Sequence, residues 1–99
     1  MACRTPVEAA LAIARRGAER VLRVSDDEVE SAMRALFSDT HNTAEGGGAA
    51  ALAALLQEKK RMRGRKVAVV LSGGNVDSSL FATVLKSVEY PAPGFDGAK

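Results

Sequence analysis

The chain has no tryptophan, one tyrosine, three phenylalanines, one cysteine and one histidine in 99 residues. A single cysteine, Cys3, excludes an internal disulfide and fits a reducing compartment. It has no metal-ligand company in the sequence, so a buried or idle thiol is the expectation. A single histidine, His41, leaves no basis for a Ser-His-Asp triad, and in a polar break it fits a cap or surface group better than a general base or ligand. Charge of one sign is also lacking, because 14 basic residues face 12 acidic ones for a net +2. No large field therefore points at nucleic acid or a membrane. The local exception is Lys59, Lys60, Arg61, Arg63, Arg65 and Lys66. No aromatic side chain interleaves with it, as single-strand stacking requires, and cations suit a helix C-terminus. No apolar run reaches 18 residues and no signal peptide opens the chain, so a soluble, cytosolic protein with no nucleic-acid or membrane partner is expected.

What is present is alanine. It accounts for 18 residues, leaving ten Val, nine Leu, one Ile and the three Phe to build a core. One domain at most is expected, and a chain this short buries only about 60–65% of its unfolded surface. Thr5-Pro6-Val7-Glu8 has the form of a capping box with proline at the first helical position, which predicts a helix over 6–16 ending near Gly17. Val21–Val24 reads as a short strand. Ser25-Asp26-Asp27-Glu28 is a second capping box, and Val29, Ala32, Met33, Leu36 and Phe37 form one stripe of a helix over 26–39. After Asp39–Thr43 and Glu45-Gly46-Gly47-Gly48, the run Ala49–Leu56 is apolar all round, which implies burial on every side. This helix is expected to reach about Arg63, with Gly64 as its cap.

Residues 66–71 are continuously apolar from Val67, the pattern of a parallel strand covered on both faces. A helix over 76–87 follows, with Val76, Leu80, Phe81, Val84 and Leu85 inward. The tail from Glu89 carries Pro91, Pro93, Gly94 and Gly97 and is expected to be loose. The strand stops at Ser72-Gly73-Gly74-Asn75. A glycine-rich turn between strand and helix lies where open α/β sheets bind ligands, and its N–H groups suit an anion. It lacks the P-loop lysine and the GxGxxG spacing, and a bare tight turn explains the glycines equally well. Glu45 reads either as an acid favoured by a helix N-terminus or as a carboxylate at a ligand cleft. Two strands and four helices cannot cover a helix and a strand that are apolar on all sides. The chain is therefore expected to complete its burial within a larger fold or against another chain.

Ser38-Asp39-Thr40-His41-Asn42-Thr43-Ala44-Glu45-Gly46-Gly47-Gly48-Ala49-Ala50-Ala51-Leu52, followed about twenty residues later by Val69-Val70-Leu71-Ser72-Gly73-Gly74-Asn75-Val76-Asp77, closely resembles the C-terminal third of threonine dehydratases (threonine ammonia-lyases). Ala2–Pro6 and Gly17–Val21 resemble the same family, and the likeness covers about residues 2–86. These are pyridoxal-phosphate enzymes of the tryptophan-synthase-β type (fold type II), together with serine dehydratase and serine racemase. The resemblance implies an α/β fold: a partial open sheet with flanking helices, over residues 1–88, that is the C-terminal portion of a two-domain enzyme, with 89–99 a flexible tail. It implies that Ser72 hydrogen-bonds the pyridine nitrogen of pyridoxal 5'-phosphate. It further implies that Gly73 and Gly74 let the backbone pass close to the ring, and that Glu45 and Gly46 lie at the cofactor cleft. The phosphate guess for residues 72–75 is thereby replaced, since the family's phosphate cradle is a different loop.

The departures bear on activity. The family's cofactor is carried as a Schiff base on a lysine in the N-terminal half. None of Lys59, Lys60, Lys66, Lys86 and Lys99 has that lysine's flanking residues. The phosphate loop has no counterpart either, and no regulatory extension follows Lys86. The chain is thus expected to be a fragment or truncated reading frame, without catalytic residues of its own and inactive alone. The whole enzyme would be a homo-oligomer converting a small amino acid, L-threonine to 2-oxobutanoate and ammonia. Three alternatives stand beside this: an assembly piece pairing with a separate N-terminal polypeptide, a non-catalytic self-associating relic, and, within the family, a serine racemase.

Overall fold

The computed structural model describes residues 3–87. The expected loose tail over 89–99 lies outside the described residues. Cys3 is exposed rather than buried. Four helices follow in order: α1 (Glu8–Gly17), α2 (Asp26–Thr40), α3 (Gly46–Gln57) and α4 (Ser78–Lys86).

α2 forms as its capping box predicts. The Ser25 hydroxyl accepts the Glu28 N–H at 3.2 Å, and the Glu28 carboxylate accepts the Ser25 N–H at 3.0 Å. Asp26, Asp27 and Glu28 place negative charge on the positive end of the helix dipole. The helix stops where His41 takes a left-handed conformation, with φ 58° and ψ 32°. His41 is exposed and sits at the cap, as its place in a polar break suggested. The first capping box does not form: α1 starts at Glu8, with Val7 at its N-cap and no side-chain cap bond.

α2 carries the inner contacts: α3 packs along it, and α4 packs on it by its inward face. The buried core is Ala32, Met33, Ala44, Ala49, Ala53 and Val84. Alanine at the α2–α3 seam lets the two backbones approach closely, and no large side chain is fully buried. Phe37 meets Phe81 edge to face, with centroids 5.5 Å apart and planes at 79°, which is the favoured aromatic geometry. Arg34 ties α2 to the end of α4 by donating to the Val84 carbonyl at 3.2 Å and to the Ser87 hydroxyl at 2.9 Å.

Three expectations are corrected. The α/β class, with a partial open sheet, is overturned: among the described residues there are four helices and no strand. A strand exists through the ladder bonds of a neighbour, and no described neighbour lies beside either candidate. The backbone of residues 66–72 makes no hydrogen bond to any described residue, and Val21–Val24 pairs with nothing through a ladder. Val67, Val69 and Val70 are 45%, 40% and 74% exposed, so the doubly covered strand is uncovered here. Second, α3 is not buried on every side: only Gly48, Ala49 and Ala53 are buried, and Leu56 is exposed. It also ends at Gln57 rather than near Arg63. Its C-cap is Glu58, not Gly64; beyond it the backbone winds through tight turns to Gly64, which has a φ of +78°. Lys59 and Arg63 would stand one helical turn apart, a like-charge spacing that disfavours continuing the helix. Third, Leu80 points outward rather than into the α4 stripe.

An alanine-lined core beside an uncovered apolar segment predicts weak cooperativity. In a dilute far-ultraviolet circular dichroism melt, the helical signal of the isolated chain is expected to decline over a broad temperature range. A single sharp transition would show that the four helices form a complete cooperative unit.

Candidate functional site

The glycine-rich loop 72–75 and the start of α3 meet, although they lie about 27 residues apart in the chain. The joining bond runs between backbones: the Glu45 N–H donates to the Gly73 carbonyl at 3.1 Å. Glu45 is the N-cap of α3 in extended geometry (φ −76°, ψ 169°), and its carboxylate makes no cap bond. Instead it rests against Gly73, where its Oε1 fills the space a Gly73 side chain would need. Downstream, the Val76 N–H closes a three-residue turn onto the Gly74 carbonyl at 3.0 Å, and this turn leads the chain into α4.

The glycines have different reasons to be glycine. A methyl on Gly48 would overlap the Gly73 carbonyl oxygen, and one on Gly74 would come within 2.5 Å of the Thr43 carbonyl oxygen. Both obstacles are backbone and cannot swing aside. A methyl on Gly73 meets only the end of the Glu45 side chain, which can. At Gly46 the nearest atom is the Val29 Cγ1 at an ordinary 3.7 Å. Gly48 and Gly74 are therefore required by loop-to-helix packing before any ligand is considered. Gly46 is not.

Ser72 stands at the entrance of this contact. Its side chain is exposed, and its hydroxyl has no hydrogen-bond partner among the described residues. The loop behind it is fixed by the Glu45–Gly73 bond and the glycine packing. The result is a free hydroxyl on a fixed backbone, beside a wall with no side chains at Gly73 and Gly74.

The structure thus brings four of the sequence-predicted residues, Glu45, Gly46, Gly73 and Gly74, to one junction, with Ser72 bonded covalently to its edge. His41 is not part of it; it caps α2. Lys59 and Lys60 lie beyond the far end of α3, which at 12 residues is about 18 Å of helix away from Glu45. Lys86 closes the far end of α4. Among the described residues no group of histidine, cysteine and acidic side chains could hold a metal ion, and no helix is long and apolar enough to cross a membrane. Sequence reasoning missed the Thr43 carbonyl, the surface against which Gly74 packs. A main-chain oxygen carries no residue-type signal.

The family model for pyridoxal-phosphate dependent enzyme matches residues 1–73. Comparison with curated proteins and comparison with solved structures each gave no match.

The packing argument separates four substitutions. Gly to Ala inside a helix gains up to about 1 kcal/mol of propensity, whereas forcing a carbon onto a backbone oxygen costs about 1–3 kcal/mol or more. Gly48→Ala and Gly74→Ala are thus expected to undock the loop, and Gly46→Ala to leave it in place. Gly73→Ala is expected to shift Glu45 only. Hydrogen exchange at the Glu45 amide reads this directly: protection should fall in the first two variants and persist in the others. Equal protection in all four would disprove the docking.

Proposed function

The chain belongs to the family of pyridoxal-phosphate-dependent enzymes, and from that premise we propose that it forms the ring-facing wall of the cofactor site of a threonine or serine dehydratase. One observation carries the proposal: Ser72 presents a hydroxyl with no hydrogen-bond partner among the described residues, on a glycine loop that is bonded to the start of α3. A flat heteroaromatic ring with one acceptor nitrogen fits such a place. The glycines carry no side chain of their own to obstruct it, and the hydroxyl would meet its nitrogen.

The family's cofactor supplies an electron sink for bonds at the α-carbon of an amino acid. What the chain's own residues do follows from their chemistry. Ser72 would donate one hydrogen bond to the ring nitrogen. A neutral hydroxyl does not hold a proton on that nitrogen as a carboxylate would, so the sink stays modest. A modest sink suits prompt loss of a β-hydroxyl over chemistry that stores charge at the α-carbon. Glu45 holds the loop through its N–H and sets a negative carboxylate beside it. The net reaction is α,β-elimination of water from L-threonine or L-serine, ending in a 2-oxo acid and ammonia.

The described residues fit the ring and do not fit the rest of the cofactor. Lys59, Lys60 and Lys86 stand at helix ends remote from Ser72, and no described loop makes a second glycine-rich cradle. The proposal therefore assigns the cofactor-bearing lysine and the phosphate cradle to a further segment or a second polypeptide. That segment would also cover Val67–Leu71.

The test is reconstitution. The chain alone, given pyridoxal phosphate and L-threonine, is expected to form no more 2-oxobutanoate than the free cofactor. Co-expression with the lysine-bearing segment of a threonine dehydratase is expected to give turnover. In that complex Ser72→Ala should lower kcat about tenfold, the weight of one hydrogen bond near 1.4 kcal/mol, and should move the cofactor's absorption band. Turnover by the isolated chain would refute the division of labour. A reconstituted complex indifferent to Ser72→Ala would refute the role of the hydroxyl.

A further inference from the structure

Six of the eight residues 59–66 are cations: Lys59, Lys60, Arg61, Arg63, Arg65 and Lys66. Of these, Arg61 alone pairs with a described acid, Glu58, at 3.7 Å. The run lies between two kinds of backbone. Before Lys66 the turns are held by a few bonds, from the Arg63 N–H to the Lys60 carbonyl at 3.4 Å and from the Arg65 N–H to the Met62 carbonyl at 3.0 Å. From Lys66 to Ser72 the backbone makes no hydrogen bond to any described residue, and every one of those residues is exposed.

An endoprotease can take its substrate as an added strand, through main-chain bonds to unpaired N–H and C=O groups. Exposed segments of this kind are where folded chains are cut. The cations offer what an acidic specificity pocket binds, and the uncovered backbone after them offers the strand. The other cations along the fold are placed differently. Arg15 and Arg16 lie in the last turn of α1, and Arg20 is paired with Glu58 at 2.7 Å. The Arg23 carbonyl accepts from the Gln57 amide at 2.9 Å. Arg34 lies within α2, bonded to Ser31, the Val84 carbonyl and Ser87. A helix must unwind before it enters such a cleft; residues 66–71 need not.

We propose that the Lys66–Val67 peptide is a processing site for an endoprotease of basic specificity, and that the cut takes the Ser72 junction apart. Water adds across the amide. The C–N bond breaks, Lys66 keeps a carboxylate and Val67 an amine. Glu45 and α3 then belong to one piece, and Ser72, Gly73 and α4 to the other. Few contacts hold them: the Glu45–Gly73 bond, Phe81 on Phe37, Val84 in the core and Arg34 at the end of α4. In the intact chain the linker keeps the two sides at an effective concentration on the order of millimolar, and at micromolar chain the cut lowers it about a thousandfold. A segment covering Val67–Leu71 would shield the bond, so the cut selects the uncovered chain. The proposal does not rest on the cofactor reading, because no ligand enters it.

The test is digestion of the full-length chain with sparing trypsin in native buffer, followed over time by intact-mass spectrometry. The first cut across the fold is expected at Lys66 or its neighbour Arg65, ahead of any cut in α1 or α2. Arg65→Gln with Lys66→Gln should slow loss of the intact chain about tenfold, since the remaining sites must open first. Arg15→Gln with Arg16→Gln should leave the rate unchanged. After the cut, at micromolar concentration, hydrogen-exchange protection of the Glu45 amide should fall and the two pieces should separate on gel filtration. A first cut within α1 or α2, equal cutting at all cations, or a rate indifferent to Arg65→Gln with Lys66→Gln would overturn the site. A cut chain that keeps its Glu45 protection would overturn the disassembly.

Discussion

The hydrogen bond from the Glu45 N–H to the Gly73 carbonyl joins the two halves of the described chain at the candidate site. α2 and α3 are neighbours in sequence, and their packing needs only the short connection at residues 41–45. The loop at 72–75 reaches that connection only after the long excursion through residues 58–71, which makes no backbone ladder. Closing such a loop costs entropy, and the return comes from a few contacts. One is this bond. The others are Phe81 on Phe37, Val84 in the core and Arg34 at the end of α4. The glycines matter because they set how near the loop can come. With a Cβ at Gly48 the two carbonyl-bearing segments could not reach bonding distance. The wall that Ser72 borders is thus a consequence of packing first, and only then available to a ring.

The core explains why the molecule tolerates so much uncovered apolar surface. Four of its six buried residues are alanine, each contributing little area. Close approach of α2 and α3 compensates by bringing many backbone atoms together, but it leaves the larger aliphatic residues at the margins. Val67, Val70, Val21 and Ile13 are all outside. In a self-sufficient domain such residues would be the core. Their exposure accords with the proposal that a further segment or a second polypeptide covers them.

Local features were legible in the sequence and long-range ones were not. The Ser25–Glu28 capping box placed the start of α2 to the residue, because the whole device spans four positions. The α2 stripe was legible too, and Ala32 and Met33 are its buried members. Gly64 does adopt a positive φ, but it closes the turns after α3 rather than α3 itself. The end of α3 was misjudged because helix propensity and glycine punctuation were weighed without the mutual repulsion of the cations after Glu58. The sheet was misjudged for a deeper reason. An apolar run specifies that a segment wants covering on both faces, but not who covers it. Residues 66–71 have the composition of a buried strand and no ladder partner among the described residues, so the composition was read correctly and the architecture was not.

The candidate site shows the same division. The motif at 72–75 could be picked out by residue type, although a bare tight turn accounts for its glycines equally well. Its partner surface could not, because Thr43 contributes a carbonyl and Glu45 an N–H, and every residue owns those. The geometry also reassigns the reasons. Gly48 and Gly74 are needed by the fold whether or not a ring ever lies beside them. Gly73 faces only a movable carboxylate, and Gly46 faces a gap of ordinary width. If selection acted on folding alone, Gly73 and Gly46 would be free to vary while Gly48 and Gly74 were held. A ring against the loop adds a demand for bareness at Gly73 that packing does not impose. Gly73 is therefore the glycine at which the proposed ring and packing make different demands, and Ser72 beside it is the side chain that packing among the described residues leaves unexplained.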